Sequence, residues 1–400
     1  MDAQKYIEMI HDKYFFDYKK MEHKYSKALV KEMIQLLYAG DAKELPLTDT
    51  GSKPLLYINS KIADTAAAMK SLISYSGQAS YSLAAVENEI VSTLSIEQIE
   101  TNRESVRNIL SGLAPRNEAE HRIAGMKKGF EFISDKNNTI TAESVRYLYE
   151  IMVNPFLDDA NDRLAENQLY RSGPVHIYNQ TRNQNVHDGM AHTKLPYHMD
   201  ELFAFIQRTD SMNDLHKAAA IHYYVAYLHP YFDGNGRMAR MMHLWYLLQH
   251  GYSASLFLPF SSIIQQTKNS YYKAFDFTEN NAAVSGRLDI TPFLSYFADE
   301  VYSKIGNHNL QNDVLDKFQM LLSKGSVTEK EKELFHFVLS KYGTAEFSTK
   351  ELEKDFRNCA YATIRSFVLK MTAEGILEQH SYGNRNKYCL ISAESAVELS

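Results

Sequence analysis

The sequence predicts an all-α fold, and three groups of segments with helical periodicity support this prediction. Apolar residues recur three and four positions apart from Asp214 to Leu228, and the same spacing returns from Met238 to Leu248. Three more helical segments, with capping residues, follow residue 328. Strand-like patterns are confined to short hairpins, so we expect helices to build the core.

The N-terminal region is predicted to be helical and to contain one loop. Residues 2–38 have the pattern of one or two amphipathic helices, whereas Gly40, Pro46 and Gly51 predict a loop over 39–52. We expect the central folding unit to begin near Pro115.

The centre of the chain contains a turn between two predicted helices. Pro230 lacks the N–H that a continuing helix needs and disfavours helical geometry at His229, so the first helix should end there. Gly234, Asn235 and Gly236 permit the positive φ angles that point successive N–H groups inward as an anion-binding nest. A second helix then starts and should end before Gly251, and its N-terminus favours bound phosphate.

Side chains around this turn suit nucleotide chemistry. His229 would lie at a helix end as a base, and Asp233 is placed to hold a Mg²⁺ ion that bridges phosphate oxygens. Arg237 and Arg240 share a helix face, so both can reach one polyphosphate. Each feature alone is common in ordinary turns, but their combination predicts a nucleotide site.

The twelve residues from His229 to Arg240 resemble the signature of the Fic-domain family, His-x-Phe-x-Asp/Glu-Gly-Asn-Gly-Arg-x-x-Arg. Tyr231 stands where the family usually has Phe. Fic proteins are all-helical enzymes that mostly transfer AMP from ATP to a hydroxyl of a target protein. The resemblance therefore implies a Fic helical bundle over 116–310, preceded by a helical region over 1–115.

The resemblance also implies a role for each signature residue. His229 would be the general base, Asp233 would hold Mg²⁺, and ATP would be the nucleotide. The partner would be a protein with a Tyr, Thr or Ser hydroxyl, and self-modification is a further expectation. The implied phosphate-binding groups are the amides of Gly234 to Gly236, the Asn235 side chain, Arg237 and Arg240.

A hairpin is predicted upstream of the turn. Residues 169–178 mix Tyr, Val and Ile with a Gly-Pro break, and a polar run follows over 179–194. In Fic proteins a flap hairpin covers the active site, contacts the nucleotide and docks the target by strand addition. The matching residues here are Val175, His176, Ile177 and Tyr178. Tyr271 and Tyr272 resemble a family pair near the nucleotide, with Tyr272 as the contact, although packing explains them equally well.

A regulatory segment is implied before the core. Glu87 and Asn88 fit the end of the class II inhibitory motif, Ser/Thr-x-x-x-Glu-Gly/Asn, but Leu83 stands at the hydroxyl position and Ser82 lies one step too early. The resemblance implies that Glu87 pairs with Arg240 and blocks γ-phosphate placement. In other Fic proteins the same Glu can position a water that removes AMP, so removal of AMP is an alternative. Another alternative is that Glu87 lies on the solvated face of an ordinary helix.

A small domain is predicted over 326–392. Thr328 and Glu331 form a capping-box pattern, three helices are expected at about 329–342, 348–355 and 360–374, and a hairpin follows. This order resembles a winged helix, and the residues that could contact DNA phosphates are Arg365, Lys370, Arg385 and Lys387.

Charge argues only weakly for a DNA partner. From 329 to 390 ten Lys and Arg face nine Asp and Glu, a net +1, so protein docking or dimer contact is an equal alternative. A DNA-binding regulator with a nucleotide-sensing Fic fold is thus the competing function. The intact His229, Asp233 and both arginines favour the enzyme, because a sensor does not need the base.

Length, composition and charge limit the class of protein and its partners. The 400 residues predict two or three folding units, and 44% hydrophobic with 23% charged residues is typical of a globular protein. The net charge of −6 does not suggest a coat for nucleic acid or an anionic membrane. Cys359 and Cys389 show no disulfide or zinc spacing, and no export or membrane segment is recognised, so we expect a cytoplasmic protein.

Overall fold

A computed structural model describes residues 1–73, 83–157, 159–179, 184–258, 260–307, 312–342, 345–357, 359–383 and 385–391. These residues are mainly helical, as predicted. The described helices, in chain order, are α1 (Ala3–Ile10), α2 (Tyr18–Tyr25), α3 (Lys27–Asp41), α4 (Ala66–Ile73), α5 (Leu83–Ile96), α6 (Arg103–Leu110), α7 (Glu118–Ser134), α8 (Ala142–Met152), α9 (Leu195–Gln207), α10 (Asp214–Leu228), α11 (Asn235–Gln249), α12 (Phe260–Gln266), α13 (Lys268–Ser285), α14 (Thr291–Tyr296), α15 (Ser303–Asn307), α16 (Asn312–Ser323), α17 (Glu329–Lys341), α18 (Thr349–Phe356) and α19 (Tyr361–Ala373).

The described strands form three antiparallel pairs. They are β1 (Ala42–Thr48) with β2 (Pro54–Ile58), β3 (His176–Asn179) with β4 (Gln184–Asp188), and β5 (Leu377–Tyr382) with β6 (Arg385–Leu390). Among the described residues, no helix combines the length and apolar character that a membrane-spanning segment requires.

The chain divides into two compact units, each built from segments that are distant in sequence. Unit 1 comprises Met1–Asp64, Ala124–His250 and Ile264–Val301, and unit 2 comprises Thr65–Ile123, Gly251–Ile263 and Tyr302–Ser400. The division into domains at 1–115, 116–310 and 326–392 stays a prediction.

The N-terminal end of unit 1 differs from its prediction in two respects. Residues 2–38 carry parts of three helices rather than one or two. The predicted loop over 39–52 is wrong for Ala42–Thr48, which is strand β1. Leu45 and Leu47 are buried, and Pro46 lies where the register with β2 shifts, so its missing N–H does not interrupt the ladder.

The two central helices of unit 1 end where the sequence predicts, but α11 begins earlier than expected. Asn235 and Gly236, predicted as part of an anion-binding nest, are the first residues of α11, and of the three nest residues only Gly234 has a positive φ. Helix α10 ends at Leu228, and His229 follows it in the left-handed region with φ 53°. Helix α11 ends at Gln249 before Gly251, whose φ is 86°. Nearly all residues of α10 are buried, so its buried surface is wider than the single apolar stripe that the sequence predicts. Its His222 and Tyr223 rings contact Phe293 of α14.

Unit 2 ends in the predicted order of three helices and a hairpin, α17, α18, α19, β5 and β6. The predicted capping box is confirmed, because Glu331 N–H donates to Thr328 Oγ1 at 3.2 Å and Thr328 N–H donates to Glu331 Oε2 at 2.9 Å. These elements share an apolar core that also includes residues of α16. Its members include Phe318, Leu334, Phe335, Val338, Leu352, Ile364, Phe367, Leu377 and Tyr388. The winged-helix identity stays a prediction.

Candidate functional site

His229 is held by the end of α10. Its N–H donates to the Val225 carbonyl at 3.1 Å, and its ring Nδ1 lies 3.2 Å from the Ala226 carbonyl oxygen. A proton on Nδ1 satisfies that carbonyl and leaves the ring lone pair on Nε2. The predicted position of the imidazole at a helix end is therefore observed, and the Ala226 carbonyl favours the tautomer that a base requires.

Gly234 makes the turn into α11 sterically feasible. Its φ is 78°, and a Cβ at this position would lie 2.4 Å from Val153 Cγ1. Any side chain would therefore meet both an unfavourable backbone conformation and a clash with the residue that follows α8. The glycine is required on two independent grounds.

Asn235 organises the turn through its side chain. Tyr231 N–H donates to Asn235 Oδ1 at 3.0 Å, and Asn235 Nδ2 donates to the Tyr231 carbonyl at 2.8 Å. The side chain is buried, so these two bonds account for its orientation. One N–H of the side-chain amide is thus used within the turn, and the expected contact of the Asn235 side chain with phosphate stays a prediction.

The N-terminus of α11 presents donors to the turn. No described side chain caps this helix, whose first residues are Asn235 and Gly236. Arg237 is 3% exposed, and its Nε has no hydrogen-bond partner among the described residues. Uncapped amides beside a buried guanidinium with an unsatisfied N–H could hold an anion.

Asp233 and Arg237 form an ion pair across the first turn of α11. The Arg237 Nη2 to Asp233 Oδ2 distance is 3.2 Å, and the Asp233 side chain is mostly exposed. A metal ion could therefore approach the carboxylate from solvent. Arg240 is buried on the same helix, three residues after Arg237, as the sequence predicts for a shared face.

Tyr231 has a packing role. Its ring is buried and stacks on Tyr149, with ring centroids 3.7 Å apart and planes 6° from parallel. The Tyr231 hydroxyl has no hydrogen-bond partner among the described residues. The hydroxyl that distinguishes Tyr231 from the usual Phe therefore makes no hydrogen bond among the described residues.

The predicted hairpin is confirmed as β3 and β4, and its base is fastened to the turn. Arg171 N–H donates to the Pro230 carbonyl at 2.9 Å, and Met190 N–H donates to the Leu228 carbonyl at 3.1 Å. A Cβ on Gly189 would lie 2.7 Å from Val175 Cγ1 and 3.1 Å from His229 Cβ. Only glycine lets the chain that follows β4 approach His229 so closely.

Arg171 is a site residue that the sequence reading missed. Its buried guanidinium donates to the carbonyls of His229, Gly173 and Met190, with the Nε to His229 oxygen distance at 2.7 Å. Burial lowers the pKa of Arg171 to about 10, so it remains a cation near neutral pH. Its position before a Gly-Pro break was the only available signal, because its partners are distant in sequence.

The flap pairs its two strands and carries a polar contact at its base. The His176 ring Nδ1 lies 2.6 Å from Asp188 Oδ1 on the facing strand, and both side chains are exposed. The backbones of Ile177 and Tyr178 pair with β4, but the side chains of 177–187 lie outside the described residues. Their predicted contacts with nucleotide and target stay predictions.

The two neighbouring tyrosines of α13 have different surroundings. Tyr271 is buried, and its hydroxyl lies 2.8 Å from His222 Nε2. Tyr272 is 43% exposed, with Lys268 Nζ 5.7 Å from its ring centroid. Tyr271 is thus a core residue, and the nucleotide contact of Tyr272 stays a prediction.

Glu87 lies in unit 2, on α5, and is 3% exposed. Its Oε1 is 3.0 Å from Arg103 Nη1, and its Oε2 is 2.8 Å from Arg107 Nε. The alternative that it belongs to a solvated helix face is therefore wrong. The predicted partner Arg240 belongs to unit 1, so that pairing stays a prediction, and Ser82 of the motif lies outside the described residues.

Comparison with known proteins identifies the segment that carries the site. Residues 139–247 match the sequence model of the Fic/DOC family. The chain contains a Fic domain. The protein adenylyltransferase Fic of Drosophila ananassae is 29% identical over 93 residues, which span 23% of this chain and 16% of that protein. The counterpart from Drosophila grimshawi is also 29% identical, over 17% of its length. This chain thus matches less than a fifth of these relatives.

A solved structure supports the fold over a longer stretch. The Fic family protein from Desulfovibrio desulfuricans G20 superposes with a TM-score of 0.50 at 18% identity, covering 84% of this chain and 97% of that one. Such low identity speaks for the Fic fold alone. Within that fold, the Fic signature coincides with the turn between α10 and α11.

Proposed function

We propose that this Fic domain transfers AMP from ATP to a hydroxyl group of a protein. The observation that carries the proposal is the juxtaposition of His229 with an uncapped helix N-terminus and the buried, incompletely paired Arg237. Relatives named protein adenylyltransferase over the matched segment support the same chemistry.

In the proposed reaction the acceptor hydroxyl oxygen attacks the α-phosphorus of ATP. A bond forms between these atoms, the bond from the α-phosphorus to the bridging oxygen breaks, and pyrophosphate leaves. The proton of the hydroxyl passes to His229 Nε2, since Nδ1 is oriented by the Ala226 carbonyl. Catalysis then depends on positioning and charge stabilisation.

The polyphosphate would lie against the start of α11. Backbone N–H groups from Gly234 to Gly236, with Arg237 and Arg240, would stabilise the charge of the departing pyrophosphate. The unsatisfied Nε of buried Arg237 fits such an anion. Asp233 would hold Mg²⁺, which would supply positive charge next to the phosphates and lower their repulsion of the incoming hydroxyl.

The flap would supply the target-binding edge. Strand addition needs main-chain pairing, so an exposed β3 edge would accept varied segments of the target. Gly189 and Arg171 tie the base of this hairpin to the His229 turn. A strand docked on the flap would therefore be aligned relative to the imidazole.

We further propose that Glu87 restrains the reaction, as the class II resemblance implies. In this arrangement Glu87 would exchange at least one of its partners, Arg103 or Arg107, for Arg240. A carboxylate beside Arg240 would compete with the γ-phosphate for the same guanidinium.

The central proposal is tested by labelling with ATP that carries the radiolabel at the α- or the γ-phosphate. Protein label is expected from α-labelled ATP only, in the wild type and in Glu87→Gly. His229→Ala should lower the labelling rate by about 10²- to 10⁴-fold while ATP still binds. Label from γ-labelled ATP, or undiminished labelling by His229→Ala, would refute the proposal.

A further inference from the structure

The outer face of the C-terminal hairpin brings three metal-binding residue types together. Glu378 and His380 are two residues apart on β5 and so point to the same face. Cys389 on β6 is the direct cross-strand partner of Glu378. One ligand atom from each residue lies within 4.8 Å of the other two. The ligands come from two strands, which is why the spacing of the sequence did not reveal them.

We propose that Glu378, His380 and Cys389 form a binding site for a divalent transition-metal ion of the Zn²⁺ class. A carboxylate oxygen, an imidazole nitrogen and a thiolate sulfur suit Zn²⁺ better than Mg²⁺ or Ca²⁺, which prefer oxygen ligands. Tetrahedral Zn²⁺ places such ligand atoms about 3.3–3.6 Å apart. The His380 Nε2 to Glu378 Oε1 distance is already 3.3 Å, and the Cys389 sulfur lies within 4.8 Å of both ligand residues, so side-chain rotation would have to supply the rest of the approach.

The surroundings of His380 match those of a metal-binding histidine. Its Nδ1 lies 2.6 Å from Glu346 Oε1, so this nitrogen donates to a carboxylate and Nε2 faces Glu378. Metal-ligating histidines usually donate their other ring N–H to a carboxylate, which fixes the tautomer and raises the basicity of the ligand nitrogen. Glu346 would serve as that outer partner.

Charge and exposure are consistent with a site that binds metal from solvent. Glu378 and His380 are partly exposed, whereas Cys389 is 7% exposed. Burial, then Glu378 and Glu346, raises the pKa of the Cys389 thiol, so the metal would have to displace its proton. Lys387 is the cross-strand neighbour of His380. Its Nζ lies 3.6 Å from Glu346 Oε2, where it balances the negative charge of that carboxylate.

A simpler account is a protonated His380 between two carboxylates. Hydrogen bonds that His380 donates to Glu346 and Glu378 raise the pKa of His380, so this ion cluster would form without a metal. The two accounts differ at Cys389, because an ion cluster gives the thiol no role. Thiolate-to-metal coordination is therefore the decisive observable.

The experiment uses the full chain, stripped with a chelator under reducing conditions and returned to buffer with excess Mg²⁺ to fill oxygen-rich sites. We expect one equivalent of Zn²⁺ by elemental analysis and, with Co²⁺ as the probe, a near-ultraviolet thiolate charge-transfer band. Cys389→Ser should abolish the band, whereas Cys359→Ser, the matched thiol control, should retain it. His380→Gln should weaken Co²⁺ binding by about 100-fold or more, and Glu346→Gln by about 10- to 100-fold.

Two results would overturn the inference. One is a stripped wild-type protein that binds no Zn²⁺ or shows no thiolate band with Co²⁺. The other is unchanged Co²⁺ binding by His380→Gln. Circular dichroism checks that this variant, at a partly exposed position, keeps the fold. Neither readout depends on AMP transfer, so failure of this site and failure of the proposed function are distinguishable.

Discussion

The Asn235 side chain bonds both backbone groups of Tyr231, accepting from its N–H at 3.0 Å and donating to its carbonyl at 2.8 Å. Asn235, which the motif alone suggests as a ligand-binding residue, therefore also holds the signature loop together. We therefore expect Asn235 to influence nucleotide binding at least through the shape of the turn.

Substitution of Asn235 tests this structural role. Asn235→Ala leaves two buried backbone groups unpaired, so we expect a loss of about 2–4 kcal/mol in the free energy of unfolding. Asn235→Asp keeps an acceptor for the Tyr231 N–H. It also puts a negative charge at the start of α11, which should weaken ATP binding relative to the wild type. Denaturant titration and calorimetry measure the two effects. Unchanged stability in Asn235→Ala would contradict the structural role.

Tyr231→Phe should be tolerated or stabilising. The ring still stacks on Tyr149, and the substitution removes a buried hydroxyl that has no described partner. We expect a gain of up to about 1 kcal/mol in the free energy of unfolding, with AMP transfer unchanged. Chemical denaturation measures the gain. A loss of more than 1 kcal/mol would reveal a hydrogen bond from the hydroxyl instead.

Gly234→Ala separates a backbone penalty from a clash. Gly251 has a similar positive φ and nothing within 4 Å of its would-be Cβ, so Gly251→Ala should cost only about 1 kcal/mol. Gly234→Ala adds the collision with Val153 and should cost clearly more, with weaker ATP binding. The double variant Gly234→Ala with Val153→Ala should recover part of the ATP affinity. Equal costs at the two glycines would argue against the clash.

The buried His243 should make the protein sensitive to acid. Burial lowers the pKa of His243 to about 3 in the folded state, against about 6.5 in an unfolded chain. The unfolded chain therefore takes up a proton that the folded chain refuses, and stability falls as pH drops below about 6.5. The expected loss is on the order of 4 kcal/mol at pH 3.5. His243→Gln should flatten this part of the stability profile, and an unaltered slope would rule the assignment out.

Local rules explain why the turn was predictable. Pro230 ends α10, and the positive φ at Gly234 and Gly251 marks the limits of α11, so neighbouring residues alone determine these boundaries. The hairpin of β3 and β4 was predictable for the same reason. The Fic domain could thus be recognised from twelve consecutive residues.

Long-range partners explain what the sequence did not reveal. Arg171 binds carbonyls that lie near it only in the folded chain, and β1 is a strand because β2 pairs with it. The ligands of the proposed metal site face one another across a hairpin. The arginine partners of Glu87 lie sixteen and twenty residues away, beyond the reach of a helical pattern.

A pair of variants can separate the observed ion pairing of Glu87 from its proposed restraint of the enzyme. Glu87→Gly removes the carboxylate shared by Arg103 and Arg107, so we expect a loss of about 3–5 kcal/mol in stability because both guanidinium groups lose their ion pair, although Arg103 retains Asn88 Oδ1. If Glu87 also restrains the enzyme, the same variant should raise the initial labelling rate at saturating ATP by about 5- to 150-fold. Arg107→Met breaks the same ion pair but keeps the carboxylate, so it should destabilise unit 2 without activating transfer. Equal activation by Arg107→Met would mean that loosening of α5, rather than loss of the Glu87 charge, releases the activity.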